Sequence, residues 1–447
     1  MKKIKLGRDY ILLSLFFVLN FLIQSYNLGK LVFVFTDAGV YLYSAKLLAA
    51  GLIPYKDFFL AQPPYLLYFF SGVLSLVNFD IKSFNFLYII WGFLSIIPIY
   101  FITKKFTGSI LLSSFSVILF STFSELVQWE AHSFALRQAS LPLLSFSLFF
   151  IYIFKKPKIS AFLLGIFSLT LISNFLISIA LLISLRKFIR ENLSFLRIFL
   201  GISLLGYTAI FLIPNGYTNL IGYHLNRPFL GYWTRMDWIF DYAFATSWPI
   251  LVFGLLGSLI VKKEYRSFGL FNILSLIFVM FGGKSFYNHY LTILAVGFSI
   301  SSSFLFSFFL KIKFGKFLIV IICILSVYFS SYNYLKATLI TMRTPDFFET
   351  VDILKTTPKP LFTFEPIYGL YSKKELTYHY FVADMRYFQV LGTNLDQTQY
   401  LDVIKNSNTV LVEPFMLRFL QKEVLDKIKE DFNLIYSKNE NYIYVRK

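Results

Sequence analysis

The stretch PYLLYFFSGVLSLVNF, Pro64 to Phe79, decides how this chain is threaded. It is apolar enough to enter a membrane and short enough to lie along one. Around it, 57% of the 447 residues are hydrophobic, only 15% are charged, and mean hydropathy is +0.65. Soluble domains hold about 45–50% apolar and about 25% charged residues, so the composition indicates a polytopic membrane protein. Aromatic residues make up 20%, with 56 Phe, as suits lipid-facing and interfacial surfaces. The net charge of +18 falls in short Lys/Arg clusters between apolar segments, which argues against a nucleic-acid partner.

Candidate crossings are Tyr10–Leu28, Phe84–Thr103, Ser109–Phe123, Phe134–Phe154, Leu196–Ile213, Tyr242–Val261, Ser267–Phe281, Tyr290–Leu310 and Phe317–Tyr334. Ile159–Leu185 is too long for one comfortable span and reads as two short helices turning near Ser173-Asn174. The N-terminal apolar run follows a basic start, lacks a small-x-small cleavage site, and is expected to remain as the first span. If Pro64–Phe79 crossed, Lys104/Lys105 and Lys155/Lys156/Lys158 would lie opposite the basic N-terminus. If it lies along the outer face, those clusters join Lys2/Lys3/Lys5/Arg8 inside. Arg186/Lys187/Arg190/Arg197, Lys262/Lys263/Arg266 and Lys311/Lys313/Lys316 then fall on that side too. The positive-inside rule favours the second arrangement. It predicts about eleven spans, a cytoplasmic N-terminus and an extracytoplasmic C-terminus.

The expected fold is an all-α polytopic domain over residues 1–335, with a large first outer loop and juxtamembrane helices, followed by a small α/β domain over 336–447. In the latter, LFTFEP and TVLVEP read as strands and FLQKEVLDKIKEDF as an amphipathic helix. NLIYSKNENYIYVRK reads as a hairpin turning at Asn439. The single cysteine, Cys323, excludes an intramolecular disulfide and a cysteine metal cluster.

The first outer loop, FTDAGVYLYSAKLLAAGLIPYKDFFLAQPP, Phe35 to Pro64, is punctuated like a built object. Asp37 opens it, Tyr41, Tyr43, Leu47 and Leu48 recur at helical spacing, Gly51 closes the helix, and Pro63-Pro64 stiffens the exit. Read alone, Asp37 is equally a solvated or helix-capping acid and a functional one. The next outer loop, STFSELVQWEAHSFALRQAS, places Glu130 and His132 two apart; this is either a divalent-metal pair or a solvated polar loop. Arg137, inside the start of an apolar helix, requires an anionic partner or must snorkel. His224, Arg227, Arg235 and Asp237 stand among tyrosines and tryptophans, an arrangement shared by interfacial aromatic belts and by sites that grip a lipid phosphate with Arg. GGKS at Gly282–Ser285 does not meet the phosphate-loop pattern, because Phe278 stands where that pattern needs Gly. Asp-x-Asp, the nucleotide-sugar signature, does not occur.

Asp37, Tyr41, Ala45, Gly51, Pro54-Tyr55, Asp57 and Pro63-Pro64 resemble the first outer loop of the C-superfamily integral-membrane glycosyltransferases. The similarity is to the branch of protein O-mannosyltransferases and the lipid A aminoarabinose transferase. That family often has Asp-Glu where this chain has Asp37-Ala38, and its second loop acid is here absent near Arg137-Gln138 or displaced to Glu130. His289-Tyr290 resembles the family's His-Tyr motif, with Lys284 beside it. The resemblance implies inverting transfer of a sugar from a polyprenyl-phosphate donor to a glycan, lipid or protein acceptor outside the cell membrane, with Asp37 as base. Arg227, Arg235, Lys284 and Arg137 are then candidates for the donor phosphate. Tyr41, Asp57, His289 and Tyr290 become candidates for substrate contact, Glu130 and His132 for a divalent metal, and membrane lipids are further partners. The competing classes are a flippase or transporter of lipid-linked sugars, which needs polar or broken helices near the midplane, and a non-catalytic envelope-assembly protein.

Overall fold

A computed structural model describes Ile11, Ser14, Leu15, Val18 and residues 37–122, 134–226, 231–242, 248–283, 288–341, 344–377, 398–417 and 420–447. The chain folds into two compact units, each gathered from separate stretches. One comprises Met1–Leu28, Asn85–Ala209 and Phe229–Ala337; the other comprises Gly29–Phe84, Ile210–Pro228 and Thr338–Lys447. The 37–64 segment thus shares a unit with the C-terminal residues.

Among the described residues, four helices are long and apolar enough to cross a membrane: Ile81–Thr107, Leu193–Phe211, Lys263–Phe281 and Tyr290–Phe309. Shorter apolar helices include Ile110–Ser121, Leu136–Tyr152, Pro157–Ser168, Ile172–Ser184 and Trp248–Leu259. The expected pair of short helices within Ile159–Leu185 is present, but its turn is at 169–171, ahead of Ser173-Asn174. The reason is the Asn174 side chain, which donates to Ser140 Oγ (2.9 Å) and Thr170 Oγ1 (2.7 Å) and so belongs inside the second helix. Elsewhere in this unit small residues bring backbones together: a Cβ at Gly257 would lie 2.0 Å from the Ser301 carbonyl oxygen. This close approach joins Trp248–Leu259 to Ala295–Phe309, the packing that membrane helices favour. Buried Asn272 ties the same region by donating to the Gly297 carbonyl and to Ser258 and Ser301.

In the second unit, Asp37–Ala49 forms a helix, and Gly51 leaves it at φ +84°, a conformation that Gly adopts without a Cβ penalty. Tyr65–Leu76 is a separate helix of 12 residues. At 1.5 Å per residue it is about 18 Å long, against about 30 Å of bilayer hydrocarbon. Asn78 and Phe79, both at positive φ, then turn the chain, and Asp80 caps the following helix by accepting from Ser83 N at 2.8 Å. One face of Tyr65–Leu76 is buried through Leu66, Leu67, Phe70 and Leu74, while Tyr68, Phe69 and Leu76 are exposed.

The C-terminal residues form a four-stranded sheet in the order β1-β2-β4-β3. The strands are β1 (Leu361–Phe362), β2 (Thr409–Val412), β3 (Phe432–Lys438) and β4 (Asn441–Arg446). β1 and β2 are parallel and the remaining pairs antiparallel. The hairpin turns through Asn439 and Glu440, both at positive φ, as a tight two-residue connection requires. The helix Lys422–Asp431 lays Val424 and Ile428 into the sheet's core with Phe362, Val410 and Val412.

Pairing Phe362 with Val410 puts Glu365 and Glu413 at equivalent positions beyond the parallel strands. Glu413 is fully buried and closes the open end of β1. Its Oε1 accepts from Phe364 N (2.9 Å) and its Oε2 from the Thr363 hydroxyl (3.2 Å). Burial pushes its pKa up to about 8 despite these hydrogen bonds, which favour the charged form.

Two outcomes are expected. The distribution of Lys/Arg clusters predicts that Tyr65–Leu76 does not cross, so cysteines placed at Lys56 and Lys82 in a Cys323→Ala background should react alike with an impermeant thiol reagent; labelling of one alone would mean that the segment spans. For Glu413, a folded-state pKa above the unfolded value means stability that is complete below about 4.5 and is lost as pH rises through about 8. The melting temperature of the full chain in detergent should therefore fall across that interval. Glu413→Gln keeps an acceptor for Phe364 and should remove this component of the slope; an unchanged slope would assign the titration to another group.

Candidate functional site

The Asp37–Ala49 helix is built on a stripe of small and apolar residues: Ala38, Leu42, Tyr43, Ala45 and Leu48 are all buried. Asp37 is its first residue, so its backbone place is set by where this helix packs. Tyr41 is half-buried on the same helix. The Tyr43 hydroxyl accepts from the backbone N–H of Leu376 at 3.1 Å. Burial pushes the Tyr43 pKa up to about 12, which keeps the phenol neutral. Lys46 lies one turn on from Leu42, with Nζ 5.3 Å from the Tyr43 ring; burial lowers its pKa while nearby Glu375 opposes the shift.

Past Gly51 the chain is held by local bonds. Asp57 Oδ2 accepts from Ile53 N at 2.8 Å while Asp57 N donates to the Ile53 carbonyl at 2.9 Å, so this acid closes a tight turn. Tyr55, at φ +69°, donates its hydroxyl to the Gln62 carbonyl at 2.7 Å and its N–H to Phe58 O at 2.8 Å. From further along the chain, His224 Nε2 donates to the Ala61 carbonyl at 2.9 Å, which places a proton on that nitrogen. The neighbouring Tyr223 ring packs edge-on against Phe59 at 5.6 Å. The exit at Pro63-Pro64 is therefore anchored from two directions.

In the other unit, Arg137 stands one residue inside the Leu136–Tyr152 helix. The start of that helix is pinned by its neighbours. Tyr88 donates to the Ala135 carbonyl (3.0 Å) and Trp91 Nε1 donates to the Ala139 carbonyl (2.7 Å). The Arg137 guanidinium carbon lies 3.9 Å from the centroid of the Tyr290 ring, a close cation–π contact. Two of the residues singled out in the sequence are thus side by side, although they are far apart in the chain. Arg235 is in a different setting: it is buried, and its Nη1 donates to the Met280 carbonyl at 2.7 Å. Met280 is in the last turn of Arg266–Phe281, where the helix dipole and unpaired carbonyls favour a cation.

Arg227, Lys284, Glu130 and His132 lie outside the described residues, as do the side chains of Asp37 and His289. Among the described residues no group of three or more His, Cys, Asp or Glu side chains could hold a metal ion. Gly39, the partner of Tyr43 and the strand-closing role of Glu413 carry no local sequence signal. Helical spacing showed that Tyr43 faces inward, but the N–H it meets is 333 positions away and has no local signal.

A scan against protein-family models and a search of curated proteins both find no match. Solved structures do match. ArnT from Cupriavidus metallidurans in the apo state aligns over 96% of this chain and 97% of its own, with a TM-score of 0.69 and 12% identity. The same protein bound to undecaprenyl phosphate aligns with the same coverage and TM-score at 13% identity. This chain therefore has the fold of those polytopic proteins, and with its apolar helices it is an integral, multi-pass membrane protein.

The Asp57 geometry makes a specific forecast. Asp57→Asn retains an oxygen for the Ile53 N–H and should leave protease resistance of the 51–64 segment intact. Asp57→Ala removes the acceptor, at a cost of about 0.5–1.5 kcal/mol for a lost hydrogen bond, and should expose the segment to cleavage. Equal resistance of both variants would show that the turn does not depend on this acid.

Proposed function

We propose that this chain is a membrane glycosyltransferase that uses a polyprenyl-phosphate-linked sugar. The observation that carries the reading is the fold shared with ArnT over 96% of the chain, including a structure bound to undecaprenyl phosphate. The loop pattern from Asp37 to Pro64 supports it independently. The acceptor is a glycan, lipid or protein hydroxyl or similar nucleophile on the outer side of the cell membrane.

In this reading the acceptor oxygen attacks the anomeric carbon from the face opposite the phosphate. The new C–O bond forms as the bond to the phosphate oxygen breaks, so the sugar inverts and polyprenyl phosphate leaves. The proton lost by the acceptor passes to the Asp37 carboxylate, which serves as general base. A cation must offset the charge that gathers on the departing phosphate. Arg137 is proposed for this role, because its guanidinium carbon lies 3.9 Å from the centroid of the Tyr290 ring, and a cation–π contact engages the guanidinium face rather than its N–H donors. Arg227, Arg235 and Lys284 remain in the proposal as further phosphate contacts, Arg235 only if it also leaves or shares the Met280 carbonyl. Tyr41 and His289 are proposed substrate contacts.

The test is transfer from a synthetic polyprenyl-phosphate sugar by purified variants, with donor binding measured separately. Asp37→Asn keeps the size of the side chain but cannot take a proton, and turnover should fall by about 10²- to 10⁴-fold with donor binding retained. Arg137→Ala should lower turnover by roughly 30- to 1,000-fold, equivalent to about 2–4 kcal/mol. A fully active Asp37→Asn enzyme would remove the base from this mechanism, and absence of transfer by the parent protein from any polyprenyl-phosphate sugar would overturn the reading itself.

A further inference from the structure

We infer that the C-terminal domain acts as the positioning element for Asp37, through Gly39 and Tyr43. This deepens the reading above and rests on Asp37 being the base.

Two contacts within one unit carry the inference. At Gly39, two residues after Asp37, a Cβ would lie 3.1 Å from the Cβ of Ile367 and 3.2 Å from its backbone nitrogen. The Asp37–Ala49 helix therefore meets the first turn of the Pro366–Tyr371 helix closely, the bare backbone of Gly39 lying against the backbone and Cβ of Ile367. Such a contact leaves little room to slide, because the N, Cα and Cβ atoms of Ile367 do not move when its side chain changes rotamer. One turn further on, Tyr43 reaches Leu376.

Leu376 belongs to a short extended run that pairs with β1. Leu361 N donates to the Glu375 carbonyl and Thr377 N to the Leu361 carbonyl, both at 2.9 Å. Successive N–H groups of an extended strand point to opposite sides, so Leu376 directs its N–H away from β1, along the outer edge of the sheet. The Tyr43 hydroxyl takes the place that a further strand would fill. Leu376 itself is fixed from behind, for a Cβ at Gly369 would fall 2.6 Å from its Cδ2. The outer-loop helix is thus docked on the sheet edge at one point and on the Pro366–Tyr371 helix at another. Two points on one rigid helix fix both its position along the axis and its rotation about it. Asp37 is the first residue of this helix, roughly 9 Å along its axis from Tyr43, so a shift at either contact is passed to its backbone.

The experiment is a double-mutant cycle in the full-length protein. Tyr43→Phe keeps the buried ring and deletes only the hydroxyl that meets Leu376. Gly39→Ala adds the Cβ that Ile367 must yield to. Each should lower kcat by on the order of 10-fold or more, since a displacement of about 1 Å at a reacting group costs about 100-fold. Donor KM and binding should change by less than about twofold in each. In an Asp37→Asn background neither change should reduce the residual rate further, because the group being positioned is gone. Multiplicative losses in that background would overturn the positioning role and leave Asp37 as the base. Full activity of Tyr43→Phe and Gly39→Ala in the otherwise native chain would also overturn it. Full activity of Asp37→Asn alone would instead overturn the base reading, and the positioning of that base with it. A variant that merely folds less well lowers the amount of active protein without changing kcat per donor-binding site, and that result counts against the inference.

Discussion

Inside an apolar chain a buried polar donor gains most from a partner within the chain, because the surrounding lipid offers no hydrogen bonds. Much of this structure follows from that constraint. Asn174 bonds to Ser140 and Thr170 and thereby decides where a helical hairpin turns. Asn272 bonds across to the Gly297 carbonyl and draws two helices together. In the C-terminal region, burial in the protein core imposes a similar demand at strand ends and edges. Glu413 supplies acceptors for the groups exposed where β1 stops, and Tyr43 supplies one for the N–H that the sheet edge presents. The polar residues of this protein do more to specify its geometry than their number suggests.

The elements that the sequence made legible are those announced by local pattern. The apolar helices follow from run length, and the terminal hairpin from Asn439 between two alternating segments. What was not legible depends on partners distant in the chain. A helix periodicity places Tyr43 on an inner face and says nothing of Leu376. An arginine in an aromatic loop suits a phosphate, yet Arg235 is buried on the Met280 carbonyl, and a carbonyl at a helix end attracts the same cation. Arg137 and Tyr290 each stood out for their place at the start of an apolar segment; their pairing required the fold.

An identity of 12–13% with ArnT across nearly the whole length shows how little of the sequence the architecture needs. Helices of the right length and small residues at close crossings suffice for packing, and many apolar side chains can substitute for one another there. Chemistry is less tolerant, since it depends on a few groups held in place. The loop from Asp37 to Pro64 is held in place in several ways: its turns are bonded through Asp57, Tyr55 and His224, and its helix is seated through Gly39 and Tyr43.

The short apolar helices have a consequence for the surrounding lipid. Pro157–Ser168 and Trp248–Leu259 have 12 residues each and Ile172–Ser184 has 13, which corresponds to lengths of about 18–20 Å. A bilayer with about 30 Å of hydrocarbon overshoots such helices, and the mismatch is relieved by thinning of the nearby lipid or by polar ends seated below the usual interface. Either response shortens the distance between water and the hydrocarbon interior beside the protein. A molecule with a greasy tail and a charged head can then reach the protein's polar groups without lifting its tail far from the membrane. The helix lengths thus favour amphiphiles that stay anchored in the bilayer.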